Sequence, residues 1–229
     1  MIVNFPNEGR VRQIVEEFVS DPGHKKDDIV IVTDTLTSLP FSHPNVSFVR
    51  GSPLEEETYR RALLDHASKV IILSTNYDDP NSDSVVASVA SVIHHLHPHL
   101  RVVAECLDPK HELLFTNREG VTLVYTLHMA NNLLVQETQD PGVTILTRAM
   151  TSNLVRGTLA STEVDSPVPD SIDYEQVAIK LMRQDINLVG VIRDQQVHFS
   201  FGDLFLAVGD LLVYISSSRL TWAALQKTL

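Results

Sequence analysis

The densest run of oxygen-bearing side chains is NYDDPNSDS, residues 76–84, which carries Asp78, Asp79 and Asp83 and no basic residue. Together with Asn76, Asn81, Ser82 and the backbone, these carboxylates offer the hard oxygen shell that suits calcium. The alternative is a solvated loop in which Asp83 or Ser82 caps the helix that follows. A second group is compatible with an adenine nucleotide (NAD, ADP or ATP). Asp34 closes an apolar run at residues 29–33, where an acid can accept ribose hydroxyls or simply end a strand at the surface. Asn7, Gly9 and Arg10 occupy the preceding turn, where phosphate meets a helix start, and Ser74 ends a later strand in the same crevice. The glycine fingerprint of that turn is reduced to Gly9, Glu8 would repel a pyrophosphate, and Pro6 lacks an N–H donor.

Other reactive residues point elsewhere. His94, His95, His97 and His99 crowd one helix end, and His94 and His97 are spaced to share a face. Zinc sites draw ligands from separate elements, and Pro98 breaks this helix at once, so an exposed, frayed helix end with mild pH sensitivity is expected. Cys106, with His111 nearby, sits among apolar neighbours at a strand end, where free cysteine usually serves packing. No serine elbow, metalloprotease or phosphate-loop motif is present, and no enzymatic activity is expected.

The elements that must position these groups alternate regularly. Apolar, β-branched runs at residues 2–5, 29–33, 46–49, 69–75, 100–105 and 121–125 predict six strands. A helix with Val11, Ile14, Val15 and Phe18 on one face follows the first, whereas residues 35–45 are too broken by proline for one. Ser52 and Pro53 read as the start of a helix over 52–67, VVASVASVI as a packed helix, and 109–119 as a helix ended by Gly120. This alternation predicts a doubly wound parallel sheet of α/β class, a Rossmann-like lobe over 1–126. Residues 127–162 read as two helices, 127–138 and 144–160, split at Asp140-Pro141-Gly142, whose apolar faces predict a partner chain. Residues 163–170 read as a linker at the start of a small α+β lobe over 163–229. That lobe has a helix at 173–185, strands at 188–193, 196–200 and 211–216, turns at Gly202-Asp203 and Gly209-Asp210, and a closing helix at 217–229.

The totals set limits. The chain has 229 residues, 43% hydrophobic and 21% charged, enough to bury a core. A formal charge of −11 argues against a nucleic-acid partner. A single cysteine excludes an internal disulfide and fits a reducing compartment. No apolar run reaches the roughly 20 residues of a membrane span, and no signal peptide is visible. A buried strand directly after Met1 is expected to continue a longer polypeptide.

The layout resembles an RCK domain, the regulator of potassium conductance, related to the ring subunits of Trk and Ktr transporters. The passages that carry the resemblance are FVRGSPLEEETYRRALLDHASKVIILS, VVAEC and DLFLAVGDLLVYIS, with Ser52 in place of the usual Asp and few first-turn glycines. The resemblance implies homo-oligomers, dimers arranged as a tetrameric or octameric ring at the cytoplasmic face of a transmembrane potassium pore. Calcium or nucleotide binding in the crevice would then drive gating, and the 127–162 helices would form the crossover and dimer contact. Calcium-gated relatives place one carboxylate at the end of the fourth strand and two just after the fifth. The matching positions are Ser74, Glu105 and Leu107, so Glu105 alone carries over as a metal ligand, with Asp108 one residue beyond. A stand-alone transporter ring subunit and a nucleotide-dependent oxidoreductase are the competing readings.

Overall fold

The structure is a computed structural model describing residues 1–21, 23–115, 120–155, 157–167 and 172–229. The chain divides into two compact units, Met1–Val19 with His24–Pro141, and Ser20–Gly23 with Gly142–Leu229.

The first unit is built on six parallel strands: β1 (Ile2–Val3), β2 (Ile29–Thr33), β3 (Val46–Arg50), β4 (Lys69–Ile72), β5 (Arg101–Glu105) and β6 (Val121–Val124). Their order is β3-β2-β1-β4-β5-β6, with Ile2 paired to both Ile31 and Ile71. Strand order reverses between β1 and β4, which places a ligand crevice outside their carboxyl ends. Continuous burial on both faces explains the Val/Ile-rich strands, since Val3, Ile31, Val32, Val70 and Ile72 are all inaccessible to solvent. Helices α1 (Glu8–Ser20), α2 (Glu56–Arg61) and α3 (Ser82–Leu96) alternate with the strands. Helix α3 buries Val86, Ala87, Val89, Ala90 and Ile93, the small and branched side chains that let it lie close to the sheet. Helix α4 (Thr126–Gln139) ends the unit and buries none of its residues.

Several boundaries differ from expectation for local reasons. Strand β1 stops at Val3 because Asn4 turns to φ 71°, yet its amide still donates to the Val32 carbonyl. Strand β4 stops at Ile72 rather than residue 75, although Leu73 N still donates to the Val3 carbonyl. Helix α2 begins at Glu56, not at Ser52, whose Oγ accepts from Leu54 N in a tight turn of its own. It ends at Arg61 because Leu63 adopts φ 54°, and a separate 3-10 turn, Leu64–His66, follows. Residues 109–115 form a 3-10 helix instead of an α-helix, and the expected end at 116–119 lies outside the described residues.

The second unit opens with helix α5 (Val143–Thr151) and strand β7 (Thr158–Glu163). The strand corrects the expected helix over 144–160. Gly157 takes φ +92°, and beyond it Ala160 and Thr162 alternate inward with Ser161 and Glu163 outward, a two-residue period. The expected linker is partly packed, because Val164 is buried and its amide donates to Asp210; residues 168–170 lie outside the described set. Helix α6 (Tyr174–Met182), strands β8 (Asn187–Arg193), β9 (Gln196–His198) and β10 (Leu211–Ser216), and helix α7 (Trp222–Gln226) complete it. The antiparallel sheet runs β7-β10-β8-β9. Asp173 Oδ1 caps α6 by accepting from Gln176 N at 2.8 Å, so the helix starts one residue later than expected. The closing helix is confined to Trp222–Gln226 by a Thr221 cap.

Gly51 illustrates a position that only glycine fits. A Cβ there would lie 2.4 Å from Thr58 Oγ1 and 2.9 Å from Thr58 Cγ2, and Thr58 is fully buried. Gly51→Ala is expected to cost about 2 kcal/mol through this overlap, measured as a lower urea midpoint with unchanged slope.

Candidate functional site

The carboxyl ends of β1, β4 and β5 bring distant residues together around one acid. Glu105 is the last residue of β5 and is 3% exposed. Arg10 lies in the first turn of α1, which is fixed by Asn7 Oδ1 accepting from Arg10 N at 2.9 Å. Its Nη2 donates to Glu105 Oε1 at 2.6 Å, and its Cζ sits 5.0 Å from the Tyr77 ring centroid. The same Oε1 accepts from Tyr77 Oη at 2.9 Å and from Thr126 Oγ1, the first residue of α4, at 2.6 Å. Oε2 accepts from Ser74 N at 2.8 Å. At the floor, Asn4 Nδ2 donates to the Leu73 carbonyl at 2.7 Å, tying β1 to β4 where strand order reverses. Burial alone would push the Glu105 carboxyl up, but the bonds from Thr126, Arg10 and the Ser74 amide outweigh it and hold it below the ordinary carboxylate range. Two buried atoms here have no hydrogen-bond partner among the described residues, Arg10 Nη1 and Ser74 Oγ.

Asp83 serves a second cluster. It is 3% exposed; Oδ1 accepts from Leu107 N at 2.8 Å, and Oδ2 from Asp108 N at 3.1 Å and from His111 Nδ1 at 2.8 Å. It therefore ties the start of α3 to the segment after β5. Neither Asp83 nor Ser82 caps α3; Asn81 stands at the cap, and Ser82 Oγ accepts from Thr75 N at 3.0 Å. The Cys106 thiol, fully buried beside Asp83, is pushed up to about 12 by burial and by that carboxylate, which leaves no thiolate for nucleophilic chemistry.

The other sequence candidates are spread out. Asp78 is exposed and Asp79 half-buried, Asp79 Oδ1 accepting from Asn81 N. Asp34 and Gly9 are exposed at the ends of β2 and the first turn. His97 pairs with Asp65 at 2.6 Å across to the 3-10 turn instead of sharing a ligand set with His94. Among the described residues no three His, Cys, Asp or Glu side chains converge to hold a metal. Of the nine candidates, the fold gathers Asn7, Arg10, Ser74 and Glu105. Tyr77 and Thr126 were missed, since neither type nor spacing marks them. A cavity of about 390 Å³, lined by Ile2, Phe18, His24, Asp27 and Lys69, lies at the amino-terminal ends of the strands, away from this crevice.

In the second unit Asp210 is likewise buried. Arg193 Nε and Nη2 grip it at 2.6 and 2.8 Å, Tyr174 Oη donates at 2.6 Å and Ala207 N at 2.9 Å. The Gly209-Asp210 pair that reads as a turn is thus also the lobe's polar centre.

Residues 1–103 match the family model of the calcium-activated potassium channel slowpoke-like RCK domain. No curated protein matches the chain by sequence. The human SLO3 gating ring superposes with a TM-score of 0.68 over 95% of this chain and 43% of that one, at 13% identity, which establishes a shared fold. The GsuK RCK domain gives 0.46 at 17% identity, covering 95% and 44% of the two chains. The GsuK channel bound to NAD gives 0.47 at 18% identity, covering 95% and 36%. The chain therefore spans less than half the length of each of these structures.

Glu105→Gln is expected to lower stability at neutral pH by about 3 kcal/mol, because Arg10 loses its counter-charge. With the folded value held below 4.5, the carboxylate's contribution is complete above that pH and is lost as pH falls through the lowered value. The acid limb of stability against pH should therefore be shallower in Glu105→Gln, read by denaturant titration from pH 7 downwards. Residues 1–103 are therefore similar to the slowpoke-like RCK family, on a fold that the SLO3 gating ring shares.

Proposed function

We propose that the chain is a regulatory gating-ring module of a potassium channel, working at the cytoplasmic face of the membrane and coupling a ligand at the carboxyl ends of β1, β2 and β4 to the pore. The observation that carries this reading is the RCK match of residues 1–103 on a fold that follows the SLO3 gating ring over 95% of the chain. No helix among the described residues is long and apolar enough to cross a membrane, so the pore is assigned to other residues or another chain.

Assembly with further copies is supported by the segment proposed as the crossover and dimer contact. Helices α4 and α5 bury no residue, and Leu134, Val135, Ile145 and Leu146 are each more than half exposed. Light scattering should find an oligomer at micromolar concentration, and Leu134→Asp with Ile145→Asp should shift it to monomer. A wild-type chain that stays monomeric at high concentration, with or without ligand, removes the ring from this reading.

For the ligand, the geometry supports an adenine nucleotide. Asp34 is exposed beyond β2, where ribose hydroxyls would lie, whereas the carboxylates of Glu105 and Asp83 are buried and bonded within the protein. Calorimetry with ADP, ATP and NAD should detect binding that Asp34→Ala weakens roughly tenfold or more. Absence of heat with all three, or affinity unchanged by Asp34→Ala, overturns the nucleotide assignment.

A further inference from the structure

The calcium site implied by the RCK resemblance does not fit the side chains present. Of its three carboxylate positions, two hold Ser74 and Leu107. The third, Glu105, already accepts four hydrogen bonds, three of them on Oε1 and one on Oε2. Neighbouring Asp83 accepts from two backbone amides and His111. Asp108 Oδ1 accepts from Lys110 N.

What faces Glu105 instead is a positive charge carried by the chain itself. Arg10 Nη2 lies 2.6 Å from Oε1, and the guanidinium is held over the Tyr77 ring and anchored through the Asn7-capped start of α1. The contact is made through one nitrogen, with Nη1 lacking a partner among the described residues, so it works as a point charge more than as a fork gripping both oxygens. We infer that Arg10 is a tethered cation standing where a metal ion would neutralise Glu105, so that this lobe keeps its crevice in the neutralised arrangement without a divalent ion. The consequence reaches α4, because Glu105 also holds Thr126, together with the Ser74 amide and Tyr77 of the β4–α3 loop. An ion that neutralised Glu105 would come and go with its concentration; a guanidinium on α1 does not.

Thermal unfolding of the full chain, in calcium chloride and in sodium chloride of equal ionic strength, tests the substitution. Wild type should unfold at the same temperature in both. Arg10→Ala should lose roughly 5 °C or more in sodium chloride and recover much of it in calcium. Arg10→Lys should stay near wild type and ignore calcium. Arg10→Ala with Glu105→Gln should unfold above Arg10→Ala in sodium chloride and also ignore calcium, since no bare carboxylate remains. Calcium stabilising wild type as much as Arg10→Ala would sink the idea, as would a double variant no more stable than Arg10→Ala. If Arg10→Ala is recovered unfolded, refolding in calcium must restore its ellipticity; failure there counts against the inference.

Discussion

Removing a carboxylate from water costs several kcal/mol unless donors replace the solvent, and this constraint shapes the amino-terminal lobe more than any other. Glu105 meets it only because β1, β4 and β5 stop at nearly the same level, which brings α1, the β4–α3 loop and the start of α4 within reach of one carboxyl group. Low dielectric then strengthens each bond, and the acid stays ionised although it is buried. The carboxyl-terminal lobe repeats the solution with different parts, an Arg193 fork, a Tyr174 hydroxyl and an Ala207 amide around Asp210. In both lobes a hydrophobic core is pinned at one point by a single buried acid that accepts on both oxygens.

The parallel sheet was legible because each of its strands is an unbroken β-branched run and every connection carries a helix pattern or a proline-broken loop. Strand β7 was not, since Thr158–Glu163 has few strongly apolar residues and its inward pattern depends on a small Ala160 and a hydroxyl, Thr162, bonded to Tyr214. Helix α2 was overestimated because nothing in Leu63 itself announces a left-handed backbone; tertiary packing puts it there. The candidate site was legible in part. Arg10, Ser74 and Glu105 each stood out at a strand end or helix start, but their meeting spans up to 95 residues of sequence, and one partner of Glu105 is a backbone amide that no side-chain pattern encodes. Asp83 misled for the complementary reason. In sequence its oxygens look free for a cation, whereas in the fold they are taken by amides 24 and 25 residues further on.

The order β7-β10-β8-β9 has a consequence for how the second lobe comes into being. Strand β10 is the only one of the four that pairs with both β7 and β8, which do not pair with each other. The sheet therefore has its keystone at Leu211–Ser216, close to the end of the chain. During synthesis β7 must wait about 50 residues for its neighbour, at roughly 5–20 residues per second, with its backbone edge unpaired for seconds. A ribosome that stops before residue 211 releases β7 without a partner beside a β8–β9 pair, so the sheet cannot close, and the unfinished chain presents open strand edges to whatever lies nearby.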